Sequence, residues 1–176
     1  MKTLTDQLSQ YADYHRDARN ILTHFVGVPL ILWAVVVLLS RPAWELAVLG
    51  GVPCSPAVAA AVLACSYYML LDMRYGVAMA VVLAAMLAAA APLAQQPTVV
   101  WLAWGLGAFG VGWVIQFIGH WWEGRKPAFM DDIVGLLIGP LFVMAEMGFA
   151  LGLRTDVQQA IEARSGPVRQ RVAASQ

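Results

Sequence analysis

Five long apolar runs constrain this chain more than anything else in its sequence. They lie at about 25–40, 56–71, 75–94, 98–119 and 133–153. Each approaches the roughly 20 residues that a helix needs to cross hydrocarbon, with the first two at the short end. Backbone groups facing lipid must find partners within their own segment, so these runs are helices. The expected fold is all-α: a polytopic transmembrane bundle of about five membrane helices, preceded by an interfacial helix over about 4–19. It forms one membrane-embedded domain over 1–153, followed by a polar tail over 154–176. The stretch 42–52, "PAWELAVLGGV", reads as an interfacial connection.

The composition agrees with this reading. Hydrophobic residues make up 60% of the chain and charged residues 12%, against about 45–50% and about 25% in soluble domains. Eleven basic and eleven acidic side chains cancel, which argues against nucleic acid as a partner. The first apolar run begins near Phe25, too far from Met1 for a cleaved signal peptide. Cys54 and Cys65 have no metal-binding spacing and read as small apolar packing residues. Gly105, Gly107, Gly110 and Gly112 give the fourth run a face for close helix packing. In the tail, a short surface helix is expected before Gly166 and Pro167, with a frayed end after it.

The chain has three histidines, and the crossings place them together. His15 and His24 precede the first span and His120 ends the fourth, so an even number of crossings separates them. Asp72 and Arg74 fall on the same face. That face holds Lys2, Arg16, Arg19, Arg74, Arg125 and Lys126, whereas Arg41, Arg154, Arg164, Arg169 and Arg171 fall on the other. Most of the second group lies in the tail, so the histidine face is expected to be cytoplasmic.

Polar neighbours accompany the histidines at helical spacing. Gln116, His120 and Glu123 follow i, i+4, i+7 and share one face, which should point into the bundle. Trp121 and Trp122 belong to the interfacial aromatic belt. Asn20 and His24 are i, i+4 partners. His15 and His24 are nine residues apart, opposite one another on a straight helix, so the chain must bend between them to bring both to one ion. Asn20 is the expected break. Leu4, Leu8, Tyr11 and Tyr14 line the apolar side of the N-terminal helix. Three imidazoles suit iron, zinc, copper or nickel and leave coordination positions open, as a catalytic site requires. Asn20, Gln116, Glu123, Asp72, Asp131 and Asp132 are candidates to orient the imidazoles or add a ligand. A site at the membrane surface suits a substrate with a polar head and an apolar tail.

Two stretches, "YHRDARNILTHFVGVP" and "GWVIQFIGHWWEGRKPAFMDDIVGLLIGPLFVMAE", resemble the 2-hydroxy fatty acid dioxygenase family, known from yeast phytosphingosine breakdown and from bacterial membrane proteins. The resemblance covers the N-terminal quarter and roughly residues 112–146, while the middle matches only in hydrophobicity. It implies an iron(II)-dependent, dioxygen-using α-oxidation that cleaves C1–C2 of a 2-hydroxy fatty acid and shortens it by one carbon. It also implies a bacterial inner-membrane location. His15, His24 and His120 match the family's histidines and become candidate iron ligands. Asn20, Gln116, Glu123 and Asp131 match motif positions around them. One departure is that only Trp121 and Trp122 separate His120 from the acidic residue before Pro-Ala, where three residues are usual. The shorter spacing turns Glu123 by about 100° relative to His120. Arg16, Arg19, Arg125 and Lys126 are candidates to draw the substrate carboxylate inward. Two other classes fit the bare residues: a transporter or scaffold with helix-bridging histidines, and a zinc-dependent lipid hydrolase using Glu123 as base.

Overall fold

A computed structural model of the chain describes residues 2–46 and 52–170. Residues 47–51 of the expected 42–52 connection lie outside the described residues, as do Arg171 and the expected frayed end of the tail. Among the described residues are seven α-helices: α1 (Leu4–Ala12), α2 (Ala18–Leu38), α3 (Pro56–Leu71), α4 (Met73–Ala94), α5 (Thr98–Glu123), α6 (Gly135–Ala150) and α7 (Thr155–Ser165). A short antiparallel hairpin, β1 (Trp44–Leu46) with β2 (Val52–Cys54), occupies the connection before α3, and Trp44 pairs with Cys54. One 3-10 turn, Ala128–Met130, precedes α6.

Three helices, α2, α4 and α5, are long and apolar enough to cross a membrane, against the five spans expected. The α3 helix has 16 residues, and α6 with α7 would count as a fourth span only as a pair bent by 113°. Only 17% of the apolar window of α4 and of α5 is buried within the chain, which is consistent with a membrane protein.

The chain divides into two compact units, Pro29–Trp113 and the remainder. In the Pro29–Trp113 unit, Val36, Val37, Ala57 and Ala90 form a small core. Trp101 donates its indole N–H to the Val37 carbonyl at 2.7 Å. Arg41 closes the unit by donating to the Ala94 and Gln96 carbonyls and lying over the Trp101 ring. Asp72 accepts from the amides of Arg74 and Tyr75 and so caps α4. Gly105 lies where a methyl would strike Leu38, whereas Gly107 and Gly110 face open space. The expected glycine contact is therefore confined to Gly105 among these three. Cys54 and Cys65 are free thiols.

The other unit carries the histidines, and here the N-terminal expectation is corrected. The first helix stops at Ala12 rather than continuing to residue 19, and the bend occupies residues 13–17 rather than Asn20. A Thr3–Asp6 capping box starts α1. At the other side of the bend, Asp17 accepts the Arg19 amide at 2.9 Å and caps α2, an N-cap role stronger than the left-handed tolerance of Asn20. Asn20 and His24 consequently lie inside α2, which begins earlier than the expected first span. Nor does α1 rest its apolar side on lipid: Leu4, Leu8 and Tyr11 are buried within the protein. The α1 helix packs on both α6 and α7.

The α7 helix forms just where expected, ending at Gly166 with φ 79°, but it turns back toward α1. Arg164 pairs with Asp6 at 2.7 Å and Ser165 donates to the Ser9 carbonyl at 2.9 Å. Arg164 and Arg169 thus lie beside the N-terminal helix and the histidine loop instead of across the membrane from them. Cysteines replacing Lys2 and Arg164, both exposed, should react with an impermeant maleimide from the same side of oriented vesicles, in a background lacking Cys54 and Cys65. Labelling from opposite sides would restore an odd number of crossings.

Candidate metal centre

His15 comes from the 13–17 bend, His24 from the second turn of α2 and His120 from the last turn of α5. They are 0%, 1% and 6% exposed, and one nitrogen from each lies within 4.8 Å of the others. The rings meet edge to face, with centroids 4.4 Å (His15–His24), 4.9 Å (His15–His120) and 5.1 Å (His24–His120) apart.

Hydrogen bonds to the backbone fix two of the tautomers. His15 Nδ1 lies 2.7 Å from the Tyr11 carbonyl oxygen and His24 Nδ1 lies 2.8 Å from that of Asn20. A carbonyl oxygen only accepts, so each Nδ1 carries the proton and each Nε2 presents a lone pair. Those two Nε2 atoms are 2.9 Å apart. With no proton between them, two lone pairs at this distance repel, and a cation shared by both removes the conflict. Burial, followed by the neighbouring imidazoles, holds His15 well below its ordinary pKa near 6.5, so a proton is a poor choice for that cation. His120 Nδ1 is a buried ring nitrogen without a hydrogen-bond partner among the described residues. Neutral, carbonyl-oriented imidazoles are a donor set that suits a divalent transition metal.

Packing holds the rings in place. Tyr11 stacks on His15 with centroids 4.1 Å apart and planes 2° from parallel, and Phe142 of α6 flanks both. Tyr11 in turn rests on Gly139, where a methyl would meet its hydroxyl at 3.0 Å. Gly119, next to His120, permits α5 to approach α2: a methyl there would strike Thr23 Oγ1 and Asn20 Oδ1. Composition and spacing do not single out Gly119 or Tyr11, although both stand inside or beside the motifs.

The other candidate residues occupy different positions. Glu123 points to the bend rather than supplying a further ligand at the three rings. Its Oε2 accepts from the backbone amides of Arg16 (3.0 Å) and Asp17 (2.7 Å) and from Asn20 Nδ2 (3.2 Å). Its Oε1 accepts from Arg169 at 2.5 Å. Asn20 also donates to the Tyr14 carbonyl, while its own Oδ1 and the buried Gln116 Oε1 have no partner. Asp131 is exposed, accepting from the Tyr14 hydroxyl at 2.7 Å and pairing with Lys126 at 2.6 Å. The latter contact is the leading reason that its carboxyl is held below the usual range. Asp132 caps the turn before α6, and Asp72 lies in the other unit as the cap of α4.

The basic candidates are also engaged. Arg16 is buried and donates to the carbonyls of Ala12, His15 and Gly166 and to Glu146, and Arg19 pairs with Asp17 at 2.7 Å. Arg125 is exposed and uses one nitrogen on the Asp13 carbonyl. With Arg16 and Arg169 it borders a cavity of about 320 Å³.

Three buried imidazoles that could hold a metal ion, in a chain with three helices long and apolar enough to cross a membrane, define the class to which this protein is compared. Comparison with known proteins narrows the class. The chain belongs to the family described as Mpo1-like, 2-hydroxy-palmitic acid dioxygenase Mpo1-like, whose model matches residues 1–151. It is 31% identical over 161 residues to the 2-hydroxy-palmitic acid dioxygenase MPO1 of Saccharomyces cerevisiae, covering 90% of this chain and 87% of the yeast protein. No solved structure matches it significantly.

Two outcomes follow from this geometry. Gly119→Ala should destabilise the protein by about 1–3 kcal/mol in detergent through overpacking, while Gly110→Ala should be neutral or slightly stabilising. Thermal unfolding of the pair checks this. For His15, the unfolded state binds a proton at higher pH than the folded state does. Metal-free protein should therefore hold its stability above about pH 6.5 and lose it progressively as the pH falls below that value. A flat profile between pH 7 and 5 would contradict the neutral, buried assignment of His15.

Proposed function

We propose that this protein is an iron(II)-dependent dioxygenase that carries out α-oxidation of 2-hydroxy fatty acids. The observation that carries the reading is the pair of carbonyl-locked imidazoles with facing Nε2 atoms, beside a third histidine, in a chain of this family. His15, His24 and His120 would hold the ion. When bound, ferrous iron supplies Lewis acidity and the one-electron chemistry that lets dioxygen react with a spin-paired substrate.

The remaining roles belong to the chain. The Tyr11 and Asn20 carbonyls keep two Nδ1 protons in place and turn Nε2 inward. The Tyr11 and Phe142 rings exclude water from the His15 side. Glu123 and Asn20 fix the bend that presents His15, and Gln116, one turn before His120 with a spare buried acceptor, would accept a hydrogen bond from a bound hydroxyl and so orient it. Asp131 anchors Tyr14 at the rim. Arg125 is the basic side chain best able to draw in a carboxylate, since Arg16, Arg19 and Lys126 are each committed elsewhere. The reaction balances without an external reductant. One 2-hydroxy acid and one dioxygen give the acid one carbon shorter, carbon dioxide and water, and the C1–C2 bond breaks.

The same reading takes residues 1–153 as the catalytic domain, with α2, α3, α4 and α5 crossing a bacterial inner membrane and α6 entering and returning with α7. Lys2, Arg16, Arg19, Arg125, Lys126, Arg164 and Arg169, seven of the chain's eleven basic residues, then share the histidine face. This asymmetry favours a cytoplasmic site. The hydrolase alternative is disfavoured because both oxygens of Glu123, its candidate base, are committed to other donors. A purely helix-bridging role for the histidines is disfavoured because the facing Nε2 atoms have no proton to share.

Protein purified anaerobically and loaded with ferrous iron should consume one dioxygen per 2-hydroxyhexadecanoate and release the fifteen-carbon acid, with no turnover of hexadecanoate. His24→Ala and His120→Ala should abolish turnover and lose the iron while remaining folded in detergent. Full activity in either variant, or oxygen-independent activity with zinc, would overturn the assignment.

A further inference from the structure

The C-terminal segment lies beyond residues 1–151 matched by the family model, yet it meets the histidine loop by several independent contacts. The Arg169 amide donates to the Arg16 carbonyl at 2.7 Å, and the Ala18 amide donates to the Arg169 carbonyl at 3.3 Å. Together these form a parallel bridge between Asp17 and Arg169. The Gly166 carbonyl receives Arg16 Nη1 at 3.0 Å. The Arg169 guanidinium, 64% exposed, reaches inward to Glu123, whose carboxylate is wholly buried. That carboxylate simultaneously holds the amides of Arg16 and Asp17. His15 is thus connected to the rest of its unit through a loop whose two peptide edges and central counter-charge come partly from residues 166–169.

We propose that residues 166–169 act as a strap that positions His15, with Arg169 as a positioning residue working through Glu123. The proposal rests on the metal-site reading above. Removing the guanidinium leaves a buried carboxylate without the one cation paired with it among the described residues, and one that keeps its grip on the bend less well. Outer contacts of this kind set the orientation of metal-binding histidines, and their loss typically weakens metal binding by about 10–100-fold. The Arg164–Asp6 pair serves as the comparison. It also joins α7 to α1, but it is exposed and touches neither the bend nor Glu123.

The test uses the full-length protein in detergent, titrated with Co²⁺ and followed by the visible absorption of the bound ion, in wild type, Arg169→Ala, Arg169→Lys and Arg164→Ala. Arg169→Ala should bind Co²⁺ roughly tenfold or more weakly, Arg169→Lys should recover most of the loss, and Arg164→Ala should match wild type. Combining Arg169→Ala with Glu123→Gln should cost little more than Glu123→Gln alone, because the two residues act as one unit. Amide exchange in the metal-free proteins should rise at Arg16, Asp17 and Ala18 in Arg169→Ala only. Unchanged Co²⁺ affinity and unchanged exchange in Arg169→Ala overturn the strap and leave the metal site standing. Equal losses in Arg164→Ala and Arg169→Ala overturn it in favour of general stabilisation. A wild type that takes up no Co²⁺ overturns the metal-site reading and the strap with it.

Discussion

Everything near the histidines depends on where the Glu123 carboxylate goes. Glu123 is the last residue of α5, at the end where the helix dipole is negative and a further negative charge is unfavourable. The position becomes tenable because the carboxylate faces the beginning of α2, where unpaired amides and a positive dipole end await an acceptor. Arg16, Asp17 and Asn20 supply three donors there and Arg169 a fourth. One side chain therefore joins two helix ends of opposite polarity and satisfies the bend between α1 and α2. Because the bend is held, residues nine apart in sequence present their rings to one point.

The second constraint is burial. Imidazoles this far from water have to be neutral, and neutral imidazoles need one defined proton each. The Tyr11 and Asn20 carbonyls provide that definition through the free acceptor capacity of helical turns, four residues before each histidine. The local geometry is the same at both sites, but one turn closes α1 and the other opens α2. The repeated i to i+4 pattern means that a local carbonyl, and not a distant side chain, sets the Nδ1 proton of each ring. What depends on distant parts of the chain is only the approach of the two turns to each other and to α5, which Gly119 allows and Tyr11, resting on Gly139, adjusts.

Much of this was legible in the sequence, for identifiable reasons. Apolar runs report helices well, so α3, α4 and α5 begin and end within a few residues of expectation. The convergence of three histidines followed from crossing parity and spacing. Span number was less accessible. Hydrophobicity in α6 records burial against α1 as readily as contact with lipid, and a 16-residue apolar helix looks alike in both settings. The bend was misplaced because Asn20 is a plausible breaker by type, whereas the N-cap at Asp17 and the acceptor at Glu123 decide the matter, and Glu123 is over a hundred residues away. Arg169 carried no signal at all: an arginine in a polar tail is unremarkable until the backbone returns it to the loop.

The return of the tail also bears on how such a site can be stable. The three rings come from one short bend and from two long apolar helices. Hydrophobic packing can fix α2 and α5 against each other, but it offers little hold on a five-residue loop of charged and aromatic residues. The loop is instead held by directional contacts: hydrogen bonds to the backbone of residues 166 and 169, a buried carboxylate and the Arg16–Glu146 pair at 3.4 Å. Directional contacts lose their value when any one donor is displaced, because the groups left behind are buried and unsatisfied. The histidine loop is therefore the part of this chain in which small changes, even ones remote from the rings, should carry the largest consequences for what the rings can hold.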